Sequence, residues 1–307
     1  MGRLLKAFFF KLSRDLTFRI TLIIGAVMAV AISLLYFGMQ KFLLDELGGG
    51  VEGVKLVCGQ MMFTTSMSPV QNYGLVIPIN LIIFTCLEFS QGTIRNKIIA
   101  GNSKFKIYAS LYVTGLVFAL SLLSVYILIC TGFGAIFGGF NLKDNVFNVL
   151  GMSLSGATGV RYTVEYMLKM ALICVLTYSF IVSATIFFAA LFRSIGPCIP
   201  VIIILLLALY YAVSISQAVA LFLEEDKAET LLNVFRIIDP FYAISASESE
   251  GAEPIYHQIN DEVMIEYQYY ITKMNDVTFY AGIGNNLIYS ALFFGFGSLI
   301  FAKRDIK

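Results

Sequence analysis

Six stretches of the chain are each long and apolar enough to cross a lipid bilayer, and this repetition limits the fold more than any other feature. A helix needs about 20 mostly apolar residues to cross about 30 Å of hydrocarbon. The segments are 20–39, 70–88, 107–132, 166–192, 197–223 and 279–302. Of the 307 residues, 58% are hydrophobic and 13% charged, against roughly 25% charged in a soluble domain. A water-soluble fold could not cover that much apolar surface. The expected fold is all-α: a polytopic membrane protein with six transmembrane helices, forming a single unit over 1–307. Pro78 interrupts the second segment, which a bundle tolerates where neighbours satisfy the freed carbonyl. The third stays apolar as far as Phe140. One helix over 107–140 would be about 50 Å long, so a bend is expected at Gly132, Gly134, Gly138 or Gly139. Gly134 and Gly138 also have the spacing of a small-residue packing pair.

Charge gives the segments an orientation. The N-terminus, the 89–106 loop, Arg193 and the C-terminus hold 13 of the 21 Lys and Arg residues, with only Asp15, Glu88 and Asp305 as anions. The positive-inside rule then places both termini in the cytoplasm. The opposite loops hold 17 of the 20 acidic residues, and 12 of these lie in the longest, 224–278. That loop is expected to be partly helical and to pack over the outer mouth of the bundle. Phe241, Tyr242, Ile244, Tyr267, Tyr269, Tyr270 and Ile271 are too many apolar groups for a disordered acidic segment. Ahead of the first span, residues 3–16 place Leu4, Leu5, Phe8, Phe9 and Leu12 on one arc and Arg3, Lys6 and Arg14 opposite. This is the pattern of an amphipathic helix lying in the bilayer surface.

The composition also excludes chemistry. No Gly-x-x-x-x-Gly-Lys-Ser/Thr loop is present to cradle phosphates, so no nucleotide cofactor is expected on this chain. The lone His257 rules out a histidine metal cluster, and no metal or catalytic residue is assigned. A net charge of +1 with no basic stripe argues against nucleic acid. The five cysteines read as small buried hydrophobes, with Cys58 alone in a polar loop. No charge falls clearly at the middle of a span, which argues against proton or sodium coupling.

The informative stretch is 88–108. Thr93 to Ala100 has a helix-capable pattern, with Gly92 before it and Gly101 placed to end it. Asn102 or Ser103 can cap the next span. A short basic helix therefore projects between two spans; the plain alternative is a loop that is basic only to set topology.

Glu88-x-x-x-Gly92-Thr93-Ile94-Arg95-Asn96-Lys97, followed by Gly101-x-Ser103-Lys104-x-x-Ile107-Tyr108, resembles the signature of the type-2 ABC-transporter permease family. The usual Ser-Arg is Ser103-Lys104 here, and a Lys often found just inside the next span is Leu111. The N-terminal helix, the six spans and the large last outer loop extend the likeness over the whole chain. The resemblance implies a multi-pass subunit of a bacterial plasma-membrane exporter. It would be a homodimer, or a heterodimer with a second permease, bound to two copies of a separate ATPase that holds ATP and its magnesium. It also implies that 92–101 forms the coupling helix. Arg95 and Lys97 would offer charge to the ATPase, and Ile94, Ile98 and Ile99 would offer apolar anchors. Gly92, Thr93, Asn96 and Gly101 would shape that helix, with Glu88, Ser103 and Lys104 in support. The abundant aromatics suggest an amphipathic or apolar cargo such as a peptide, an antibiotic or a lipid-like molecule. Two other classes stay open: a motor-independent secondary transporter or channel, and a membrane sensor or immunity protein that binds an outside peptide.

Overall fold

The computed structural model describes residues 2–46, 57–69, 74–140, 146–147, 158–245, 248–251, 255–260 and 263–303. The helices are α1 (Gly2–Arg14), α2 (Leu16–Glu46), α3 (Gly59–Ser66), α4 (Val76–Ser90), α5 (Thr93–Ile99), α6 (Lys104–Gly138), α7 (Val164–Phe192), α8 (Ile195–Ala220), α9 (Glu225–Ile238), α10 (Tyr242–Ser245) and α11 (Asp276–Lys303). Five of them, α2, α6, α7, α8 and α11, are long and apolar enough to cross a membrane; α4 and α5, taken as one element bent by 56°, make a sixth. The chain is thus a helical, multi-pass membrane protein. α7 is its central helix, with 61% of its apolar window buried against 22% for α2 and α8, whose outer faces are left for lipid.

Contacts gather α1, α5 and the ends of α4, α7 and α11 at one end of the bundle, here the basic end. Lys11 on α1 meets Glu88 at the end of α4, Arg193 after α7 lies over the Phe89 ring, and Lys104 donates to Ala302 O on α11.

The opposite end carries strands that the helical pattern did not foresee. They are β1 (Val146–Phe147), β2 (Thr158–Tyr162), β3 (Glu248–Gly251), β4 (Ile255–Asn260) and β5 (Val263–Lys273). β5 pairs in parallel with β2, Thr158 opposite Gln268 through Tyr162 opposite Thr272, and antiparallel with β3 and β4. β2 leads into α7 through Thr163, whose side chain accepts from Tyr166 N. β5 leads into α11. Two parallel neighbours, each running straight into a helix, start α7 and α11 side by side, and these helices form the most extensive pair in the bundle. Lys169 secures the start of both, bonded to Glu165, Asp276 and the Met274 carbonyl.

Two expectations about individual spans are corrected. The second crossing is not one helix over 70–88. α4 has 15 residues, about 22 Å and short of the hydrocarbon thickness. Above it the backbone is non-helical at Met67 to Pro69 and at Gly74 and Leu75, with Met67, Pro69 and Gly74 buried; residues 70–73 lie outside the described residues. α3 then packs against α6 and α7 at the sheet end. Non-helical backbone at membrane depth is tolerated where protein surrounds it or it lines a cavity. Pro78 does not break α4 either, because it sits in the first turn, where its missing N–H would have no partner within the helix.

The third crossing does not bend at its glycines. α6 runs unbroken for 35 residues, about 52 Å. A Cβ at Gly138 would lie 1.7 Å from Val57 O, and one at Gly134 would lie 2.7 Å from Met62 Cγ. These glycines let α3 and the turn before it lie directly on α6. The end of α6 also meets α2, with Phe37 stacked on Phe137 at 4.4 Å. Cys58, read from sequence as a polar-loop residue, is buried in this contact; the other four cysteines are buried at other places in the bundle.

Candidate functional site

At the basic end, α5 is a seven-residue helix set between two glycines. Gly92 has φ +68° and Gly101 φ +83°, left-handed values that cost a side-chain-bearing residue about 1–2 kcal/mol. At the end of α5, Gly101 N donates to Ile98 O and Asn102 N to Lys97 O, the paired bonds of a Schellman cap. The Asn102 side chain adds a second bond to Lys97 O. Of the two capping candidates for α6, Ser103 takes the role, its hydroxyl accepting from Lys106 N at 3.4 Å. Every turn linking α4, α5 and α6 is therefore closed by hydrogen bonds.

The buried Glu88 carboxylate braces the helix from inside. Its Oε1 accepts from Lys11 at 2.5 Å, and its Oε2 accepts from Lys97 at 2.6 Å and from Thr93 Oγ1 at 2.8 Å. Lys97 also lies 3.3 Å over the Phe8 ring of α1. One carboxylate thus ties α1, α4 and α5 together.

This brace redistributes the expected contact residues. Ile94 is completely buried, Lys97 is engaged within the chain, and Ile98 packs partly against the core. None of the three is a free outward anchor. The face that α5 presents outward is Arg95, Asn96 and Ile99, with Ile99 72% exposed. Lys104 supports the loop from the other side by bonding the last turn of α11, where helix carbonyls attract a cation. The amphipathic helix expected over 3–16 forms over 2–14, but its apolar residues Leu4, Phe8 and Leu12 are buried on the protein itself. α1 packs along α6, and Glu88 and Lys97 hold its Lys11 and Phe8.

A second polar constellation lies deep in the bundle. Residues 224–278 are not all surface loop: α9 runs from the sheet end back along α8 and α11, turns at Asp239–Pro240, and α10 returns. Three side chains of α11 hold the turn. Asn285 Nδ2 donates to Arg236 O at 2.8 Å, Tyr289 Oη to Ile238 O at 2.8 Å, and Asn286 Nδ2 to Pro240 O at 3.1 Å. Tyr289 is the fourteenth of the 28 residues of α11, so the tip lies about 20 Å from either end of that helix. Phe241, next to the turn, sits 5.9 Å from Phe180 in the middle of α7.

Arg236 and Asp239 therefore lie at mid-bundle depth, contrary to the expectation that no charge falls there. An acid at the centre of a bilayer costs about 2.5–3.5 kcal/mol, and such residues mark functional sites by default. Asp239 is 3% exposed, and its Oδ1 accepts from Phe241 N. The available sequence signals were the Asp-Pro pair in an apolar stretch and the adjacent Asn285 and Asn286 within a span. Beside the tip, a cavity of about 300 Å³ is lined by Pro69, Gly74, Leu75, Val76, Leu206, Leu207, Tyr210, Tyr211 and Phe241.

No family model, no curated protein and no solved structure matches the chain.

Proposed function

We propose that this chain is the transmembrane permease subunit of an ATP-driven exporter, energised through α5 by a separate ATPase and moving an amphipathic or apolar cargo outward. The observation that carries the reading is the construction of α5. A loop that only set topology would need charge alone. Here the short helix is closed by glycine caps at both ends and braced from inside by a buried carboxylate. It is fixed to the helices on either side and leaves Arg95, Asn96 and Ile99 facing out.

A push on such a body moves α4, α6 and α1 together, because the loops that would absorb it are already hydrogen-bonded. The resemblance noted in the sequence supports the same reading. The basic end would then face the cytoplasm and the sheet end the outside, with a second permease completing the pathway. The cavity beside α8 offers apolar and aromatic walls to a cargo of matching character.

The test is site-directed cross-linking in native membranes. Cysteine introduced at Arg95 or Ile99, in a variant lacking the native cysteines, should cross-link to a soluble ATPase subunit; cysteine at Phe10 on the exposed face of α1 is the comparison. An absence of any ATPase adduct at either α5 position would remove the reading and leave the motor-independent transporter or the sensor.

A further inference from the structure

The outer face of α1, and the corner where α1 passes into α2, carry cations that the Glu88 brace does not use. At about 100° per residue, Arg3, Lys6, Phe10 and Arg14 share one face of α1, turned away from the buried Leu4, Phe8 and Leu12, and all four are exposed. Arg19, just beyond the corner, is exposed too. Among the described residues, none of these four cations is paired with a carboxylate. Asp15, the acid of the corner, caps α2, its Oδ1 accepting from Thr17 N at 2.8 Å.

Two of the cations are held in place beside the same turn of α1. The Arg14 guanidinium lies 4.3 Å over the Phe10 ring, and Arg19 Nε donates to Ser13 O at 3.0 Å. Phe10 is 56% exposed in the middle of this cationic face, a position that suits the headgroup boundary of a bilayer better than water. From the corner onward, Leu16, Ile20, Ile23, Ile24 and Val27 follow one another along one side of α2, between 46% and 69% exposed. Leu16 to Val27 covers about 16 Å, close to half the hydrocarbon thickness and so to the depth of one leaflet.

We propose that the α1–α2 corner is a binding site for an anionic phospholipid, with its phosphate held by Arg14 and Arg19 and an acyl chain lying along Leu16 to Val27. The planar fork of a guanidinium matches a phosphate through two parallel hydrogen bonds. A zwitterionic lipid offers the same phosphate but brings its own cation against Arg3 and Lys6; an anionic one brings none. Residues that only set topology would need charge and no fixed geometry, whereas here the arginines are oriented by Phe10 and Ser13 and an apolar track begins beneath them. Occupancy would also hold α1 on the bundle, and α1 supplies Lys11 and Phe8 to the brace. The charge of the surrounding leaflet would then set how firmly α5 is held.

The chain contains no tryptophan, so Phe10→Trp places a single fluorophore at the site, and an indole keeps an aromatic face beneath Arg14. The full chain with this substitution is reconstituted in phosphatidylcholine vesicles containing a minor share of phosphatidylglycerol brominated on its acyl chain, or the same share of brominated phosphatidylcholine. Quenching should report an enrichment of the anionic lipid of about fivefold or more, the factor that one cation near an anionic surface contributes. Adding Arg14→Gln and Arg19→Gln should abolish the preference. Arg14→Lys with Arg19→Lys keeps every charge, and with it the orientation in the membrane, but loses the planar forks; it should at least halve the preference. Inorganic phosphate in the buffer should displace nothing. Equal quenching by the two lipids in Phe10→Trp overturns the proposal, as does full preference in either double variant or displacement by inorganic phosphate alone. Neither ATPase nor cargo is present, so failure here leaves the exporter reading standing, and failure of α5 to cross-link leaves the lipid site standing.

Discussion

Glu88 shows how much one side chain carries at the basic end. Replacing it with alanine would strand Lys97, whose side chain is 19% exposed and lies over Phe8. Removing one member of a buried pair costs about 3–5 kcal/mol, since the other charge is left uncompensated. Glu88→Ala should therefore lower the thermal midpoint of the purified protein markedly and loosen α1 from α5, read as faster amide exchange over 5–12 and 93–99. Lys11→Ala should be much milder, about 1 kcal/mol or less, because Lys11 is more exposed and leaves Glu88 with Lys97 and Thr93. Equal losses for the two variants would show that Glu88 is not the shared brace. In the sequence Glu88, Thr93 and Lys97 stand only as members of one motif, with Lys97 expected to offer its charge outward. The sequence could not show that Lys97 turns inward, because the residues that draw it in, Glu88 and Phe8, belong to two other helices.

At the scale of elements, the glycines of α6 separate two physical roles that look alike in sequence. Gly134 and Gly138 were legible as candidates for either a bend or a contact, and only the position of α3 decides for contact. Gly138→Leu must collide with the Val57 backbone, so it should detach α3 and expose Cys58 to a thiol reagent while α6 stays helical. Gly132→Ala, which meets nothing within 4 Å, should leave both unchanged or be slightly stabilising. Unchanged Cys58 labelling in Gly138→Leu would refute the packing role.

The five long spans were readable because 20 or more apolar residues in a row admit one interpretation. The fourth, for example, begins at Val164 and ends at Phe192, within two residues of the segment expected. The second was not, since its crossing is shared between α4 and a non-helical stretch that only surrounding helices make tolerable. The strands of 248–273 were also missed, although Val263–Lys273 carries the β-branched and aromatic residues of a strand. In the sequence those aromatics indicate order without its type.

For the whole molecule, the described fold places a braced, outward-facing helix at one end and a polar hairpin at mid-depth, joined through α7 and α11. Hydropathy found the bundle. It could not find the hairpin, because Arg236 and Asp239 look like members of an acidic loop until α11 is seen to hold the carbonyls of Arg236, Ile238 and Pro240. The central claim is that a motor pushes on α5, and Ile99 tests it most directly. Ile99 is 72% exposed, so a charge there cannot disturb the core, whereas Ile94→Asp would bury one and unfold the loop. A desolvated apolar anchor at an interface contributes about 2 kcal/mol or more, roughly thirtyfold in affinity. The measurement is cargo-stimulated ATP hydrolysis by the reconstituted permease with the ATPase that copurifies with it, for wild type and Ile99→Asp. The variant should keep its thermal midpoint, lose most of the bound ATPase and hydrolyse at the unstimulated rate. Full assembly and full stimulation in Ile99→Asp would contradict the account and leave α5 as a loop that only fixes topology.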